Sequence, residues 1–255
     1  MKVRGRQRSV VGVAAPEGAV ATEDATSGIS IIVPVFNESA GIQVFLKTLR
    51  SRAPGAEIIV VDGGSSDATR PLVELLCDHL VTSSRGRALQ MNAGARAANG
   101  EVLWFLHADV EPPVGCLEAI ENALENADAV GGYFRIRLPR RRLVYRLSDE
   151  FAHYAGKLMR VRCGDHGFFC RRAVFEQIGG FGEGPLMEDV ELFRAMMRCG
   201  EVAVIEKRLV VSPRRYQALG PMRLTLAFGL IASLYALHTP WPVLAALYRR
   251  LCVPR

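Results

Sequence analysis

The chain has 255 residues, 49% of them hydrophobic, with 24 glycines and a formal net charge of +6. This length can bury a sizeable core and suits one large domain or two small ones. The positive charge suits phosphates on a small ligand, an anionic membrane surface or a nucleic acid. The six cysteines form no C-x-x-C pair, which argues against a zinc ribbon and favours free thiols over a disulfide framework.

The first 28 residues carry four basic side chains, followed by a stretch of Ala, Gly and Thr. A secretory signal needs a sustained apolar core, which this stretch lacks. We therefore expect residues 1–28 to form a disordered tail, with a targeting peptide as the alternative. The expected location is the cytoplasm, either free or at the inner face of the membrane.

From Ile29 onward, short apolar runs alternate with segments of helical spacing. Helices are predicted over 39–52, 68–77 and 88–98. Continuous apolar runs between amphipathic helices are typical of parallel strands buried on both faces. The pattern therefore predicts a βαβαβαβ half of a doubly wound α/β sheet. The predicted strands are ISIIVPV at 29–35, EIIVVD at 57–62, HLVTS at 79–83 and EVLWFL at 101–106.

Polar residues follow three of these strands. The segment GGSSD at 63–67 has an ordinary alternative explanation, a tight turn followed by a helix cap. However, the carboxyl ends of parallel strands meet at one edge, where open α/β sheets bind ligands. We therefore predict a site at this edge. The residues that would converge there are Asn37, Glu38, Asp62, His107 and Asp109.

The chemistry of these side chains indicates a nucleotide ligand. A carboxylate at a strand end, such as Asp62, can accept hydrogen bonds from a base or a ribose. Asp109, with His107 two residues before it, can ligate a divalent cation that bridges phosphate oxygens. Such a cation neutralises the charge that develops on a departing diphosphate. The combination predicts a transferase whose leaving group is a nucleotide.

Four segments, in this order, resemble the motifs of family 2 glycosyltransferases with the GT-A fold: IIVPVFNE at 31–38, VVDGGSSD at 60–67, HAD at 107–109 and MEDVELFRAM at 187–196. The resemblance covers residues 29–215. It implies a Rossmann-like, mostly parallel central sheet flanked by helices, with the GT-A domain over 29–220. Three further segments, GRALQMNAGA, GDHGFFCRR and SPRRY, are similar to a bacterial subgroup named for radical-SAM or selenium-related genes.

On the donor side, the resemblance implies that Asp62 binds the nucleobase and that Asp109 binds the metal and the diphosphate. His107 stands where many members of the family have Asp, and its imidazole favours Mn²⁺ over Mg²⁺ as the cofactor. Arginines suit the phosphates because the guanidinium fork matches phosphate geometry. The expected donor-binding residues are Pro34, Asn37, Glu38, Asp62, Arg87, Asp109, Arg214 and Arg215.

On the acceptor side, Asp189 occupies the position of the family's general base, and Glu188 precedes it. The alternative is that both carboxylates only complement the dipole at a helix start. Glycines at 179, 180, 182 and 184 precede them in a stretch that we expect to be flexible and to close over substrate. We expect Asp165 and His166 to contact the acceptor, although the subgroup is expected to have Gln in place of His166.

The C-terminal residues 221–255 are predicted to form an apolar helical segment. The run at 224–237 has 14 residues, which is shorter than the roughly 20 needed to span a bilayer. A buried packing helix, an oligomer contact and an interfacial membrane anchor all remain open. Trp241, Arg249 and Arg250 favour the interface. The basic segment at 137–146 is predicted to be a solvated or membrane-facing patch.

We therefore expect a glycosyltransferase of the hexosyltransferase type, which moves a sugar from a UDP- or GDP-linked donor to an unidentified acceptor. The resemblance implies inversion and dependence on Mn²⁺ or Mg²⁺. A sugar-nucleotide nucleotidyltransferase is one alternative, but the loop PVFNESAG is acidic and lacks a basic glycine-rich grip for a triphosphate. A non-catalytic nucleotide-sugar-binding protein is the other. We expect no nucleic-acid partner, and we leave homo-oligomerisation and peripheral membrane contact open.

Overall fold

The computed structural model describes residues 27–137, 164–182, 184, 186–212, 214–237 and 239–252. Its strands are β1 (Ile29–Val35), β2 (Glu57–Asp62), β3 (His79–Thr82), β4 (Val102–Phe105), β5 (Val110–Glu111), β6 (Ala129–Arg137), β7 (Phe169–Arg171) and β8 (Glu201–Val211). Its helices are α1 (Ile42–Arg52), α2 (Thr69–Val73), α3 (Arg87–Ala97), α4 (Cys116–Leu124), α5 (Arg172–Gln177), α6 (Glu188–Cys199), α7 (Arg214–Leu219), α8 (Pro221–Ala236) and α9 (Trp241–Cys252). A short 3-10 turn spans Gly164–His166.

The strands of the described residues form one eight-stranded sheet in the order β3-β2-β1-β4-β7-β6-β8-β5. In its first half, β1 is parallel to both β2 and β4, and β2 is parallel to β3. This confirms the βαβ pattern read from the apolar runs. The register places Val35 opposite Asp62 and Ile32 opposite Phe105, so the three strands end at the same edge of the sheet.

The second half of the sheet is mixed rather than parallel. Strand β7 is antiparallel to both β4 and β6, and β5 is antiparallel to β8, whereas β6 and β8 are parallel. An antiparallel neighbour needs no crossover helix. Strand β7 begins three residues after the turn at Gly164–His166, so the chain runs back along β4 from the edge where the site lies.

Apolar layers cover both faces of the sheet, as expected for strands buried on both sides. Ile31 and Val33 pack into one layer with α1 and α4, whereas Ile32 packs into the other with α3, α5 and α6. Helix α3 lies close to the sheet, because a β-carbon at Gly94 would come within 2.4 Å of Ile32 Cγ2. The site residues at the ends of these strands therefore stand on a rigid base.

Two sequence predictions about helices need comment. Helix α3 is confirmed to within one residue, but α2 ends at Val73 rather than near residue 77. The chain turns there because the Asp78 backbone N–H donates to the Ile58 carbonyl at 2.9 Å and the Ile58 N–H donates to Asp78 Oδ2 at 2.7 Å. These bonds position the chain for β3, which begins at the next residue. Leu75, between α2 and β3, is exposed.

The C-terminal segment is helical, as predicted, and α8 and α9 pack against each other around Leu224, Ile231 and Leu244. Among the helices that the structure describes, none is long and apolar enough to cross a membrane. The predictions for the tail at 1–28 and for the basic patch at 137–146 fall almost entirely outside the described residues.

Candidate active site

The loops after β1 and β2 are tied together at the edge of the sheet. The backbone N–H of Asn37 donates to Ser65 Oγ, and the Ser66 N–H donates to Asn37 Oδ1, both at 2.9 Å. Hydrogen bonds from Thr69 and Ser39 hold the pKa of the Asp67 carboxyl well below its usual range. Asp67 also accepts a hydrogen bond from the Thr69 N–H at 2.9 Å, as the cap explanation expects, whereas Ser65 and Ser66 bond to Asn37 in the other loop.

Asp62 is buried at the end of β2, and its Oδ1 accepts a hydrogen bond from the Ser65 N–H at 3.0 Å. Of the other predicted donor residues, Pro34 is half-buried opposite Val61, and the Glu38 N–H donates to Thr69 Oγ1 at 2.8 Å. The loops of β1 and β2 thus bring the predicted nucleotide-binding residues together around Asp62.

Gln90 links these strand ends to helix α3, and sequence reasoning assigned it no role. Its buried Nε2 donates to the carbonyls of Val35 and Val61, both at 2.8 Å. Its Oε1 accepts from the Gly86 N–H at 3.4 Å. Gln90 is buried on α3 together with Met91 and Ala95. A polar residue among the apolar positions of this helix was the signal in the sequence that could have identified it.

Helix α3 also anchors the glycine-rich stretch before α6. Asn92 Nδ2 donates to the Phe181 carbonyl and Asn92 Oδ1 accepts from the Phe181 N–H, both at 2.9 Å. Gly179 and Gly180 have left-handed backbone conformations, with φ of 80° and 77°. Asn92 thus ties Phe181, within the glycine-rich stretch, to α3. That this stretch is flexible and closes over substrate stays a prediction.

Three potential metal ligands lie together beyond β4. One ligand atom each from His107, Asp109 and Asp165 lies within 4.8 Å of the others. His107 Nδ1 is 3.3 Å from Asp165 Oδ1, and the Ser212 N–H donates to the Asp109 carbonyl at 2.9 Å. Two carboxylates and one imidazole are donor types that Mg²⁺ or Mn²⁺ accepts, so these residues would hold such an ion.

Glu188 and Asp189 begin α6, directly after Met187, whose φ of 67° is in the left-handed region. Both carboxylates are buried. Asp189 Oδ2 accepts a hydrogen bond from the Gly164 N–H at 2.8 Å. Within the described part of the chain, Asp189 Oδ1 and His107 Nε2 are buried without a hydrogen-bond partner. Such polar atoms are costly in a purely structural site.

The environment of these two carboxyls favours their protonated form. Burial raises the pKa of Glu188, and the charge of Asp189 raises it further. Burial is also the main cause of the raised pKa of Asp189, although His107, Arg87 and the Gly164 bond act in the opposite direction. A carboxylate with a raised pKa is better matched to accepting a proton at neutral pH than an ordinary surface carboxylate.

Arg87, at the first residue of α3, faces the same carboxylates. Crowding by protein atoms would lower its pKa, but the charges of Asp189 and Asp165 outweigh this effect and the pKa is raised. Water still reaches the side chain. Arg87 is therefore an exposed positive charge that interacts with Asp189, Asp165 and Glu188.

The two predicted acceptor residues have different surroundings. Asp165 lies beside the metal candidates, as described above. His166 is buried, with its ring against Tyr133 and its Nδ1 2.9 Å from the Phe134 carbonyl. The predicted contact of His166 with the acceptor therefore stays a prediction. The side chains of Arg214 and Arg215 lie outside the described part of the structure.

The family model described as Glycosyl transferase family 2 matches residues 30–179, more than half of the chain. The chain belongs to glycosyltransferase family 2. The sheet described above, flanked by helices, is the GT-A fold of such enzymes. Membership in this family agrees with the clustering of Asp62, Asp109 and Asp189 at one edge of the sheet.

Similar curated glycosyltransferases share a modest part of their length with this chain. The prophage bactoprenol glucosyl transferase homolog of Escherichia coli K12 is 28% identical over 164 residues, covering 60% of this chain and 50% of that protein. Glycosyltransferase AglE of Haloferax volcanii is 28% identical over 171 residues, covering 60% and 55%. The chain spans about half the length of these relatives.

Solved structures of glycosyltransferases share the fold. A mannosyltransferase of Pyrobaculum calidifontis, in complex with GDP-Man and Mn²⁺, is similar with a TM-score of 0.58 and 22% identity, covering 88% of this chain and 70% of that chain. Glucosyl-3-phosphoglycerate synthase of Mycobacterium tuberculosis, with Mn²⁺ and UDP, has a TM-score of 0.58 and 18% identity, covering 90% and 88%. At these identities the likeness concerns the fold alone.

Proposed function

We propose that this family 2 glycosyltransferase moves a sugar from a nucleotide diphosphate donor to an acceptor, with inversion at the anomeric carbon and with Mn²⁺ or Mg²⁺ as cofactor. The observation that carries the proposal is that Asp62 ends and Asp109 follows a parallel strand at one edge of the sheet, while Asp189 lies beside His107 through the turn at Gly164. Membership in the radical-SAM or selenium-related subgroup stays a prediction.

The donor half is assigned to the ends of β1 and β2. Asp62 is held in place by Ser65 and accepts hydrogen bonds from the base or ribose. Arg87, which is exposed at the start of α3, supplies a positive charge for the diphosphate. In support, the similar solved structures named above contain GDP-Man or UDP. The choice between a UDP- and a GDP-linked sugar is the first question for experiment.

His107, Asp109 and Asp165 would hold the divalent ion. Two carboxylates and one imidazole suit Mn²⁺, because imidazole is a softer ligand than a carboxylate. When bound, the ion neutralises negative charge on the diphosphate leaving group. The Mn²⁺ in the similar solved structures supports this role. Asp165, which we predicted to contact the acceptor, is therefore proposed as a metal ligand.

Asp189 is proposed as the general base, with Glu188 as the alternative. The acceptor oxygen attacks the anomeric carbon, the bond from that carbon to the diphosphate breaks, and the acceptor proton passes to Asp189 Oδ1. Gly164 already occupies Oδ2 through its N–H. Since Oδ1 is shielded from solvent, acceptor binding requires a movement of the surrounding segment. Such movements accompany substrate closure in many enzymes.

The test is incubation of the protein with labelled UDP- and GDP-sugars, Mn²⁺ or Mg²⁺, and a cell extract as the source of acceptor. We expect release of the nucleoside diphosphate and transfer of the label in the presence of one donor. Pyrophosphate exchange would instead indicate a nucleotidyltransferase. Donor binding without any release of diphosphate would contradict the proposal and indicate a binding protein.

A further inference from the structure

The C-terminal hairpin of α8 and α9 has an apolar outer surface. On α8 and the residue after it, Met222, Leu226, Leu230 and Leu237 are 68%, 70%, 47% and 75% exposed. Their spacing places them on one face of the helix, since residues four and seven apart lie on the same side. The opposite face of α8 is also apolar and buries Leu224. A solvent-facing helix is normally polar on its outer side.

The charges of the hairpin all have one sign. Residues 221–252 contain Arg223, Arg249 and Arg250 but no Asp or Glu. All three arginines are exposed, as is Val243 near the start of α9. Exposed apolar side chains next to basic ones, without acidic neighbours, are typical of helices that lie on an anionic membrane surface.

The hairpin packs against α6 and the residues just before it, where the predicted general base lies. Leu186 and Met187, directly before the catalytic candidates Glu188 and Asp189, pack into its core. The Arg194 guanidinium of α6 lies 4.9 Å from the centre of the Tyr235 ring. A β-carbon at Gly184 would lie 3.9 Å from Trp241 Cζ2. The hairpin therefore contacts both α6 and the residues that lead into it.

We propose that the outer face of the hairpin, formed by Met222, Leu226, Leu230, Leu237 and Val243 with the three arginines, docks on an anionic lipid bilayer. The docked enzyme would then take an acceptor that is itself carried in that bilayer, a conclusion that rests on the proposed function. In support of this acceptor class, several curated relatives are named as bactoprenol glucosyl transferases.

A second copy of the chain is the competing occupant of this face. A two-fold symmetric dimer brings the same surface of both copies together. Here it would bring the three arginines of each copy into one interface with no acidic residue of the hairpin to pair with them, and such like charges within an interface are costly. Charge complementarity therefore favours anionic lipid over a second copy.

The test uses the full chain and sedimentation with two kinds of vesicle, phosphatidylcholine alone and phosphatidylcholine mixed with phosphatidylglycerol. The apolar variant is Leu226→Asp with Leu230→Asp. Its control is Val44→Asp with Leu75→Asp, because these two apolar side chains are also exposed but lie outside the hairpin. The charge variant is Arg249→Gln with Arg250→Gln, and its control is Arg96→Gln with Arg198→Gln, both exposed.

We expect the wild type to bind the anionic vesicles and to bind neutral vesicles more weakly. The charge variant should weaken anionic binding about thirtyfold, because each arginine near an anionic surface contributes about a fivefold gain in partitioning. The apolar variant should weaken binding to both vesicles, whereas both controls should bind as the wild type does. Because the two variants are independent, misfolding of the apolar variant would leave the charge variant as the test.

Failure of wild-type binding to either vesicle would overturn the docking proposal, as would equal binding by the charge variant and its control. A dimer in analytical ultracentrifugation that the apolar variant dissolves, without vesicle binding, would assign the face to a second copy instead. Donor binding is measured in the same samples without lipid. In the wild type, absent vesicle binding with normal donor binding would reject only the docking, whereas vesicle binding without donor binding would reject only the proposed function.

Discussion

The backbone N–H of Gly164 donates a hydrogen bond of 2.8 Å to Oδ2 of Asp189, and this bond joins the turn before β7 to the first turn of α6. A β-carbon at position 164 would lie 2.7 Å from Asp189 Oδ2 and 2.8 Å from His107 Nε2. Gly164 therefore lies against both Asp189, the candidate base, and His107, a candidate metal ligand. A side chain at position 164 would displace one of them.

The first prediction concerns Asp189 itself. Asp189→Asn should lower turnover by about two to four powers of ten and leave donor affinity nearly unchanged, because a general base acts on the acceptor proton. Donor binding is measured by titration calorimetry and turnover by product release, with donor hydrolysis by water as a surrogate reaction. Asp128→Asn, at an exposed site, is the control. Full activity of Asp189→Asn with the true acceptor would transfer the role to Glu188.

The second prediction concerns the contact at Gly164. Gly164→Ala should lower turnover at least tenfold, since the added methyl group must displace Asp189 or His107, and overpacking should reduce the free energy of unfolding by about 1–3 kcal/mol. Gly229→Ala, where a β-carbon meets nothing within 4 Å, is the control and should raise stability by up to about 1 kcal/mol. Equal activity of both variants would show that the contact has no catalytic role.

The third prediction concerns the metal. Asp109→Asn and Asp165→Asn should each weaken Mn²⁺-dependent UDP binding by about ten- to a hundredfold or more, since even outer partners of metal ligands have effects of that size. The measurement is a Mn²⁺ titration followed by electron paramagnetic resonance, repeated with UDP present. Thermal unfolding should be close to that of the wild type. A wild-type titration curve for Asp165→Asn would contradict its role as a metal ligand and favour the alternative that Asp165 contacts the acceptor.

The fourth prediction concerns Gln90. Gln90→Leu would remove the donor that the carbonyls of Val35 and Val61 share, although the Val35 carbonyl would keep the bond from the Gly63 N–H. We expect a loss of about 1–3 kcal/mol for the two hydrogen bonds together in urea unfolding, with weaker donor binding, because Val61 directly precedes Asp62. Gln43→Leu, on the exposed face of α1, should change stability by about 0.5 kcal/mol or less. Normal donor affinity would limit Gln90 to a folding role.

The fifth prediction is a pH dependence of stability. The pKa of Glu188 is raised in the folded state, so its contribution to stability is complete below the ordinary carboxyl value of about 4.3 and is lost as pH rises through the raised pKa. Glu188→Gln should therefore be more stable than the wild type at neutral pH, and this advantage should disappear in acid. Urea unfolding in the presence of a chelator measures it, with exposed Glu121→Gln as the control. An advantage that grows in acid would contradict the prediction.

The sequence alone determined the parallel half of the sheet and the edge at which the proposed donor site lies. Buried parallel strands read as continuous apolar runs, and the polar residues that follow them must share one edge. Asp62 and Asp109 could therefore be placed from their positions after strands. The four motifs, in their order along the chain, were sufficient to predict the family.

The tertiary structure alone decided the contacts that join distant segments. Gln90 meets Val35 across 55 positions, Asn92 meets Phe181 across 89, and His107 meets Asp165 across 58. No local periodicity carries such information, because these partners are set by how α3 and the turn at Gly164–His166 pack on the sheet. The same holds for the exposed apolar face of α8: both sides of that helix are apolar in sequence, and only packing decides which side is buried.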